Sequence, residues 1–535
     1  MKRILPPTAV LIIALLVPSL SLIPVLHAYA SDAPPDRVFM GFRYMAGDHY
    51  QYAAFIRQVR DHGDLLMANP FTSEAQRPSY LLLYFWILGT FSRLTGASVV
   101  LTWEIFRLLG GFLYVVVFWH FTGLLLEPRG RRVMATLLFG FGGGIDWIVT
   151  GLRATVAPWI EPLEYPYDYF WNWSTFGTMV VPNWIWPALV MLLAWLVMLK
   201  RTKGADILAF LLFPVVWFLH PYSGMVAYLS AGLLAAAPVV IALARLEPIP
   251  WKRVRSNLRI SAPALASFAV VAAYLLWARS DEVFRLNSAR GFTWTDTFSV
   301  WWYPLSYGAL LPLAFFGLRS IGEDREAPAD GVVAWAAAAF FLSVNPLYAG
   351  VKFHYLLFPP LVILAARGLF WLQDMAPRFR RALRGGPAVA LGAACLFLDA
   401  PVSLVKDLPA VAQDGDITMR QSEIDAMRWL EGQPDGLVLS SYRAGNRIPW
   451  LAGKPVYVGH WFMTLDSRSK SRDVAMLMSP QVPHGAKTDI LRRTGARWVY
   501  VGPDEASMGS IDESLPLTKV YDSDGVAIYE SALAR

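Results

Sequence analysis

The chain has 535 residues, 56% hydrophobic and 16% charged, with 47 Lys and Arg against 40 Asp and Glu and a net charge of +7. A soluble protein carries about 25% charged residues, and a chain this poor in charge could not cover its own surface in water. A fully soluble enzyme is therefore excluded, in line with a mean hydropathy of +0.41. The basic excess sits in short clusters between long apolar runs, as in the cytoplasmic loops of a polytopic membrane protein, which argues against nucleic-acid binding. The single Cys395 allows no internal disulfide and no thiolate metal cage.

Apolar segments of spanning or near-spanning length fall at roughly 5–26, 79–95, 99–126, 133–151, 178–199, 205–220, 222–244, 260–279, 301–318, 331–347, 351–372 and 386–404. The first follows Met1-Lys2-Arg3 and ends at His27-Ala28-Tyr29-Ala30, a sequence a signal peptidase could cleave. Its length favours an uncleaved anchor, and either way the next residues begin outside. Arg129/Arg131/Arg132, Lys200/Arg201/Lys203, Arg245 to Arg259 and Arg378 to Arg384 are expected to be cytoplasmic. Between the outside loop 31–78 and the cluster at 129–132 lie two segments where an odd number is needed. The stretch 79–126 is thus one span plus a re-entrant or interfacial helix, or else three passes. About 11 spans, in a multi-pass protein of the cytoplasmic (inner) membrane, leave the C-terminus outside.

Four regions lie outside the bilayer in this reading: 31–78, 152–177, 280–300 and a soluble tail. The second is rich in aromatic and acidic residues, among them Trp159, Glu161, Glu164, Tyr165, Tyr167, Asp168, Trp171 and Trp173. In the tail, 421–431 reads as a helix, and 436–440 and 455–459 as short strands. A helix at about 486–494 then leads to a strand at 497–502, and two closing strands, 517–521 and 525–529, flank an Asp522-Ser-Asp-Gly525 turn. The expected fold is mainly α: a transmembrane helical bundle over 1–404 with a small extracytoplasmic α/β domain over 405–535. No internal repeat, P-loop or dinucleotide-binding glycine fingerprint is present.

The most informative stretch runs from Gly41 to Arg60. Asp48 follows a glycine at a position suited to a helix N-cap, and the helix after it puts Tyr52, Phe55, Ile56 and Val59 on one face. Such an amphipathic helix is expected on the outer membrane surface, with its acid at headgroup depth, where a lipid-linked substrate presents its phosphate.

An N-terminal anchor, a large outside loop with an early acid, amphipathic helices and then many spans resemble the GT-C class of glycosyltransferases. The likeness is to bacterial relatives of the protein mannosyltransferase and lipid A aminoarabinose transferase branch. Gly47-Asp-His-Tyr-Gln-Tyr52, Asn69-Pro-Phe-Thr72 and Pro78-Ser-Tyr80 carry it, with Val351-Lys-Phe-His-Tyr355 and the tail's Gly453-Lys-Pro-Val-Tyr-Val-Gly-His460. Many members of the class have a second acid where this chain has His49. The resemblance implies transfer of a sugar from a polyprenyl-phosphate carrier to a glycan, lipid or protein acceptor, with inversion expected. Asp48 would be the general base, and Lys352, with His354 nearby, would face the lipid phosphate. Arg43, Arg77, His49, Tyr52, Glu74, His220 and His460 are further candidates for binding lipid phosphate or sugar. A divalent metal is compatible with the class, and no nucleic acid is expected as a partner.

Plainer readings stand beside these. Asp48 can serve as a helix cap, Lys352 can snorkel from a span end, and His354 can be a packed interfacial histidine. His220, in Leu219-His-Pro-Tyr222, fits a satisfied turn as well as an intramembrane functional site. Glu161, Glu164 and Asp168 fit an ordinary solvated loop, and His460 can simply close a strand. A flippase for lipid-linked glycans and a membrane scaffold with a binding tail are the rival functions.

Overall fold

In a computed structural model, the structure is described for residues 5–31, 34–43, 45–145, 147–148, 174–201, 203–244, 246–293, 300–321, 327–375, 392–393, 395–406 and 416–534. Seven helices among them are long and apolar enough to cross a membrane: Thr8–Ala30, Val99–Thr122, Pro182–Lys200, Pro221–Leu243, Trp251–Ala278, Ala327–Val344 and His354–Met375. Ala205–Leu219 and Leu310–Ser320 are shorter apolar helices. The chain is a helical membrane protein with small sheets near its C-terminus. The ambiguous stretch 79–126 resolves into a 13-residue helix, Leu83–Thr95, and a 24-residue one, Val99–Thr122. The segment at 301–318 is broken at Gly308 into helices Tyr303–Tyr307 and Leu310–Ser320. Residues 386–391 and 394 of the segment expected at 386–404, and the end of that at 133–151, lie outside the described residues.

The chain packs into two compact units, Met1–Pro24 with Glu104–Leu275 and Gly291–Leu408, and Val25–Trp103 with Leu276–Arg290 and Pro409–Arg535. The tail therefore shares its unit with the first loop, and the two units divide at Leu408 and Pro409 in this part of the chain.

The first unit is held by close helix contacts with a few buried polar clasps. Helices Leu310–Ser320 and Phe358–Met375 cross at a pair of glycines. A Cβ on Gly317 would lie 1.9 Å from the Leu364 carbonyl, and one on Gly368 would lie 1.9 Å from that of Leu313. Small residues at such crossings let backbones touch, which matters where lipid removes the hydrophobic drive for helix association. The Phe118 and Phe139 rings stack at 3.7 Å. Asp330, buried on helix Ala327–Val344, accepts from Arg253 and Asn257, so its charge is paired within the bundle. Arg131 and Asp374 form an ion pair at 2.8 Å, joining the start of helix Arg129–Phe141 to the end of Phe358–Met375.

The second unit contains the strands. β1 (Arg37–Phe39) pairs antiparallel with β2 (Thr418–Arg420), in register Arg37 to Arg420. A four-stranded sheet has the order β3 (Val438–Leu439), β4 (Trp498–Val501), β6 (Val526–Ser531), β5 (Leu517–Ser523), with only β3 and β4 parallel. The expected closing hairpin turns through Asp524 and Gly525, both left-handed at φ 46° and 80°, the geometry a tight two-residue hairpin needs. Residues 455–459 make isolated bridges, Val456 to Val438 and Val458 to Thr72, in place of the expected strand. Leu439, Val458, Val474, Leu477, Leu491 and Val499 form the core beside the sheet.

Helix Ala46–His62 departs from the expected surface helix. Phe55, Ile56 and Val59 are fully buried, and so are Ala53 and Arg57, on other faces. Val59 and the Ile56 carbonyl lie against Gly89 of helix Leu83–Thr95, while Arg57 reaches the opposite way into the tail. Its guanidinium donates to Asp61, Glu431 and the carbonyls of Trp450 and Leu451. Helical periodicity identified the apolar stripe but carried no sign that a second helix, Tyr442–Leu451, covers the polar side. That helix packs closely on the 456–460 segment at Gly445, whose Cβ would lie 1.9 Å from the Val458 carbonyl.

The loop after this helix is pinned to the tail by the residues that carry the GT-C likeness. Asn69 Nδ2 donates to the Met463 carbonyl at 2.7 Å. Thr464 Oγ1 donates to the Phe71 carbonyl at 2.7 Å. Lys470, buried in the tail, contacts Glu74 at 2.7 Å and donates to Thr72, whose hydroxyl also donates to Glu74. Burial alone would raise the Glu74 carboxyl, but the hydrogen bonds from Lys470 and Thr72, with the Lys470 charge, hold it below the usual carboxylate value.

Gly445→Ala tests the close approach. Inside a helix this change ordinarily stabilises by about 1 kcal/mol, but here overpacking costs about 1–3 kcal/mol, at the upper end because the atom met is backbone. Thermal unfolding in detergent should show a lower Tm, while Gly485→Ala, with nothing within 4 Å of its Cβ, should not. Glu74→Gln tests the clamp by pH. Because the Glu74 carboxyl is held low, its stabilisation is present above the ordinary carboxylate range and lost as pH falls through the lowered value. The Tm gap between wild type and Glu74→Gln should be widest near neutral pH and close in acid; a gap independent of pH would refute the clamp.

Candidate active site

Asp48 lies in the first turn of helix Ala46–His62, two residues past its start, and is not the cap. The residue before the helix is Met45, left-handed at φ 46° with no side-chain cap, a backbone state that costs a non-glycine residue about 1–3 kcal/mol. A carboxylate in a first helical turn faces the positive end of the helix dipole, which favours its charged form.

The tail supplies its partner. His460 Nε2 lies 3.0 Å from Asp48 Oδ1, and since a carboxylate has only acceptors, the shared hydrogen comes from the imidazole. The His460 side chain is 4% exposed and that of Asp48 22%, so the ring is locked in protein while the acid can be reached from outside. Nδ1 of His460 is buried with no hydrogen-bond partner. Three contacts aim the ring. It packs against Phe71, with centroids 6.2 Å apart, and its carbonyl accepts from Met463 and Thr464 in a tight turn. Asn446, next to the close-packed Gly445, donates to the Gly47 carbonyl at 3.0 Å, tying the base of the acid to the helix that carries the tail.

His49 is a packed histidine. Its Nδ1 lies 3.1 Å from the Met45 carbonyl, and its ring sits against Phe42 at 5.3 Å and Trp103 at 5.1 Å. Tyr52 stacks on Phe85 at 5.0 Å and on Trp103 at 5.9 Å. Arg43 is buried in the same unit. Arg77 donates from its backbone to Asp281 at 3.0 Å and from its guanidinium to the Trp277 carbonyl at 2.7 Å, above the Trp277 ring. These contacts tie the first loop to residues 277–281.

Lys352, His354 and His220 belong to the other unit. Lys352 ends a short 3₁₀ turn, Gly350–Lys352, with its ammonium 5.7 Å from the centre of the Trp184 ring. Trp184 stacks in turn on Tyr355 at 5.0 Å. The Tyr355 hydroxyl, the Ser223 hydroxyl and His220 Nδ1 form a closed triangle of 2.5, 3.0 and 3.1 Å, so His220 is a satisfied turn histidine that also braces the Lys352 shelf. His354 is buried against Tyr303, at 5.3 Å, and its carbonyl accepts from Tyr307. Glu161, Glu164 and Asp168 lie outside the described residues.

Among the described residues no three His, Cys, Asp or Glu side chains come together to hold a metal ion. Sequence reasoning missed Trp461, and also Lys470, Asn446 and Thr464, whose contacts lie hundreds of residues away. Only Trp461, adjacent to His460, carried any local signal.

No family model matches the sequence, and neither does any curated protein sequence. Solved structures do match its fold. The oligosaccharyltransferase of Archaeoglobus fulgidus in its apo form is 12% identical, with a TM-score of 0.58 over 98% of this chain and 74% of that one. ArnT from Cupriavidus metallidurans, bound to undecaprenyl phosphate, is 15% identical, with a TM-score of 0.51 over 97% of this chain and 98% of that one. The arabinofuranosyltransferase AftD from Mycobacteria is 16% identical, with a TM-score of 0.52 over 97% of this chain and 40% of that one. All three are GT-C glycosyltransferases. The expectation drawn from the first loop and the span pattern is met: this chain has the GT-C fold.

Proposed function

We propose that the protein is a glycosyltransferase that moves a sugar from a polyprenyl-phosphate carrier to an acceptor hydroxyl outside the cytoplasm, with Asp48 as the general base. The observation that carries this reading is the Asp48–His460 pair: a reachable carboxylate in a first helical turn, fixed at one oxygen by a buried imidazole. A catalytic base must be held in place and be within reach of the group whose proton it takes. A cap serving only the helix would bond the helix backbone, and Asp48 is not at the cap position.

The step balances without a cofactor. The acceptor oxygen attacks the anomeric carbon as the bond from that carbon to the phosphate oxygen breaks. Both electrons of the broken bond leave with polyprenyl phosphate, and the acceptor proton passes to Asp48. The leaving group is already a stable anion, so it needs positive charge nearby and no acid to protonate it. Within the first unit, Lys352, held over Trp184, is a point charge suited to binding a lipid phosphate. His460 is a positioning residue that keeps the Asp48 carboxylate from rotating off line. The tail then works on the outer side of the membrane, with the basic clusters at 129–132 and 200–203 on the cytoplasmic side.

Polyprenyl-phosphate release from sugar-loaded carrier, by protein reconstituted in lipid with acceptor extract, tests the reading. Asp48→Asn should lower the rate by about 10²–10⁴-fold, the usual contribution of a general base. His460→Ala should lose up to about 10²-fold, and His460→Gln, whose amide can still donate to Asp48, should recover part of it. A merely structural histidine would show no such rescue. Lys352→Ala should weaken carrier binding while leaving thermal unfolding unchanged. Equal release by wild type and Asp48→Asn would sink Asp48 as the base, and no release from either would leave transport or scaffolding.

A further inference from the structure

We infer that the groove beside the Asp48–His460 pair is an acceptor subsite for a carbohydrate chain, with Trp461 as its stacking platform. This rests on the transfer reading above and names the acceptor class that reading left open. The groove lies in the second unit, has a volume of about 720 Å³, and is lined by Arg290, Trp461, Asp466, Ser467, Arg468 and Ser469. That volume falls in the range of about 300–1,000 Å³ typical of ligand sites.

Its lining matches a sugar. Trp461 directly follows the histidine that holds the base and is 48% exposed, a high exposure for so large an apolar side chain. An indole face offers a flat apolar surface to the C–H face of a pyranose or furanose ring, and its neighbours offer hydrogen bonds to the hydroxyls at the ring edge. Arg290 is fixed at the wall, because its Nη1 donates to the carbonyls of Phe462 and Thr464. Arg468 and Asp466 bring a donor fork and an acceptor, and Ser467 and Ser469 bring hydroxyls. Among the described residues the Arg468 and Ser469 side chains make no hydrogen bond or ion pair within the protein. Asp466 is held left-handed at φ 51° just before helix Ser467–Met478, so the groove floor is a fixed turn.

Two other occupants fit less well. A peptide bound as an added strand needs an open strand edge, and these walls are a loop, a helix start and the end of helix Glu282–Thr293. A lipid surface would be met by apolar neighbours around the indole, whereas five of the six lining residues here are charged or hydroxylated. The order of residues also suits transfer: His460 holds the base, and the next residue in the chain holds the platform, so a sugar stacked on Trp461 would present a hydroxyl near Asp48.

Saturation-transfer NMR on the full-length protein in detergent tests this without turnover. The probes are a panel of neutral and anionic tetrasaccharides, with mixed-sequence octapeptides and lipid micelles as comparisons. Wild type and Asp48→Asn should both transfer saturation to ring C–H protons of at least one saccharide. Trp461→Ala should lose that signal, and Arg468→Ala should weaken it, each with an unchanged unfolding temperature. In transfer assays with the saccharide so found, Trp461→Ala should raise the acceptor KM about tenfold, the worth of one aromatic contact, with kcat little altered. A saccharide signal that survives Trp461→Ala, no saccharide signal from any probe, or a Trp461-dependent signal from the octapeptides or micelles alone would each overturn the subsite. Saccharide binding that depends on Trp461, without carrier cleavage by wild type, would instead overturn the transfer reading and leave the subsite standing.

Discussion

The carboxylate of Asp48 and the imidazole of His460 stand 412 residues apart in sequence and 3.0 Å apart in space, and most of the second unit is framework for that contact. A single hydrogen bond nets about 1 kcal/mol and could not by itself hold two chain segments together. The holding is done by the surrounding links: Asn69 to Met463, Thr464 to Phe71, Lys470 to Glu74, Asn446 to Gly47, and β1 on β2. Each fixes a few degrees of freedom, and together they leave the imidazole little room to miss the acid. The glycine at 445 belongs to the same logic, since any side chain there would push the 456–460 segment, and with it His460, away from helix Tyr442–Leu451.

The two units solve different solvation problems. In the first, apolar helices meet through stacked rings and paired glycines, because lipid offers no hydrophobic reward for association and close packing must supply it. Its buried charges are few and paired, as at Asp330 with Arg253. The second unit builds with polar clasps, placing Arg57 among two carboxylates and two carbonyls and Lys470 between Thr72 and Glu74. Such clasps are specific about geometry, and a site that must position a base within a fraction of an ångström benefits from that specificity. The Lys352 shelf in the first unit uses the other means, an ammonium over an indole braced by a closed triangle of hydroxyls and imidazole.

The motifs that carry the GT-C likeness have a physical meaning that their sequences concealed. Asn69-Pro-Phe-Thr72 reads as a turn, yet Asn69, Phe71 and Thr72 each bond the tail. His49 occupies a position where an acid is common, and it is engaged by the Met45 carbonyl and an aromatic nest. Packing holds His49, and a polar partner of Asp48, His460, comes from the tail.

Composition alone determined that this chain lives in a membrane, because 16% charged residues cannot solvate 535. Hydropathy located the spans, and helical and strand periodicity located helices Ala46–His62, Gln421–Glu431 and His484–Thr494 and the hairpin of β5 and β6. These are local properties, set by neighbours a few positions away, and a sequence displays them directly. Asp48 could be singled out for the same reason, as an acid opening an amphipathic helix. Its neighbours could not. That His460 meets Asp48, that Lys470 takes Glu74 into a clamp, that Arg57 is buried on the supposedly solvated face and that Trp461 lines a groove all depend on bringing residues 25–103 and 409–535 into one unit. No periodicity encodes contacts of that span; only the folded chain brings those side chains within hydrogen-bonding distance.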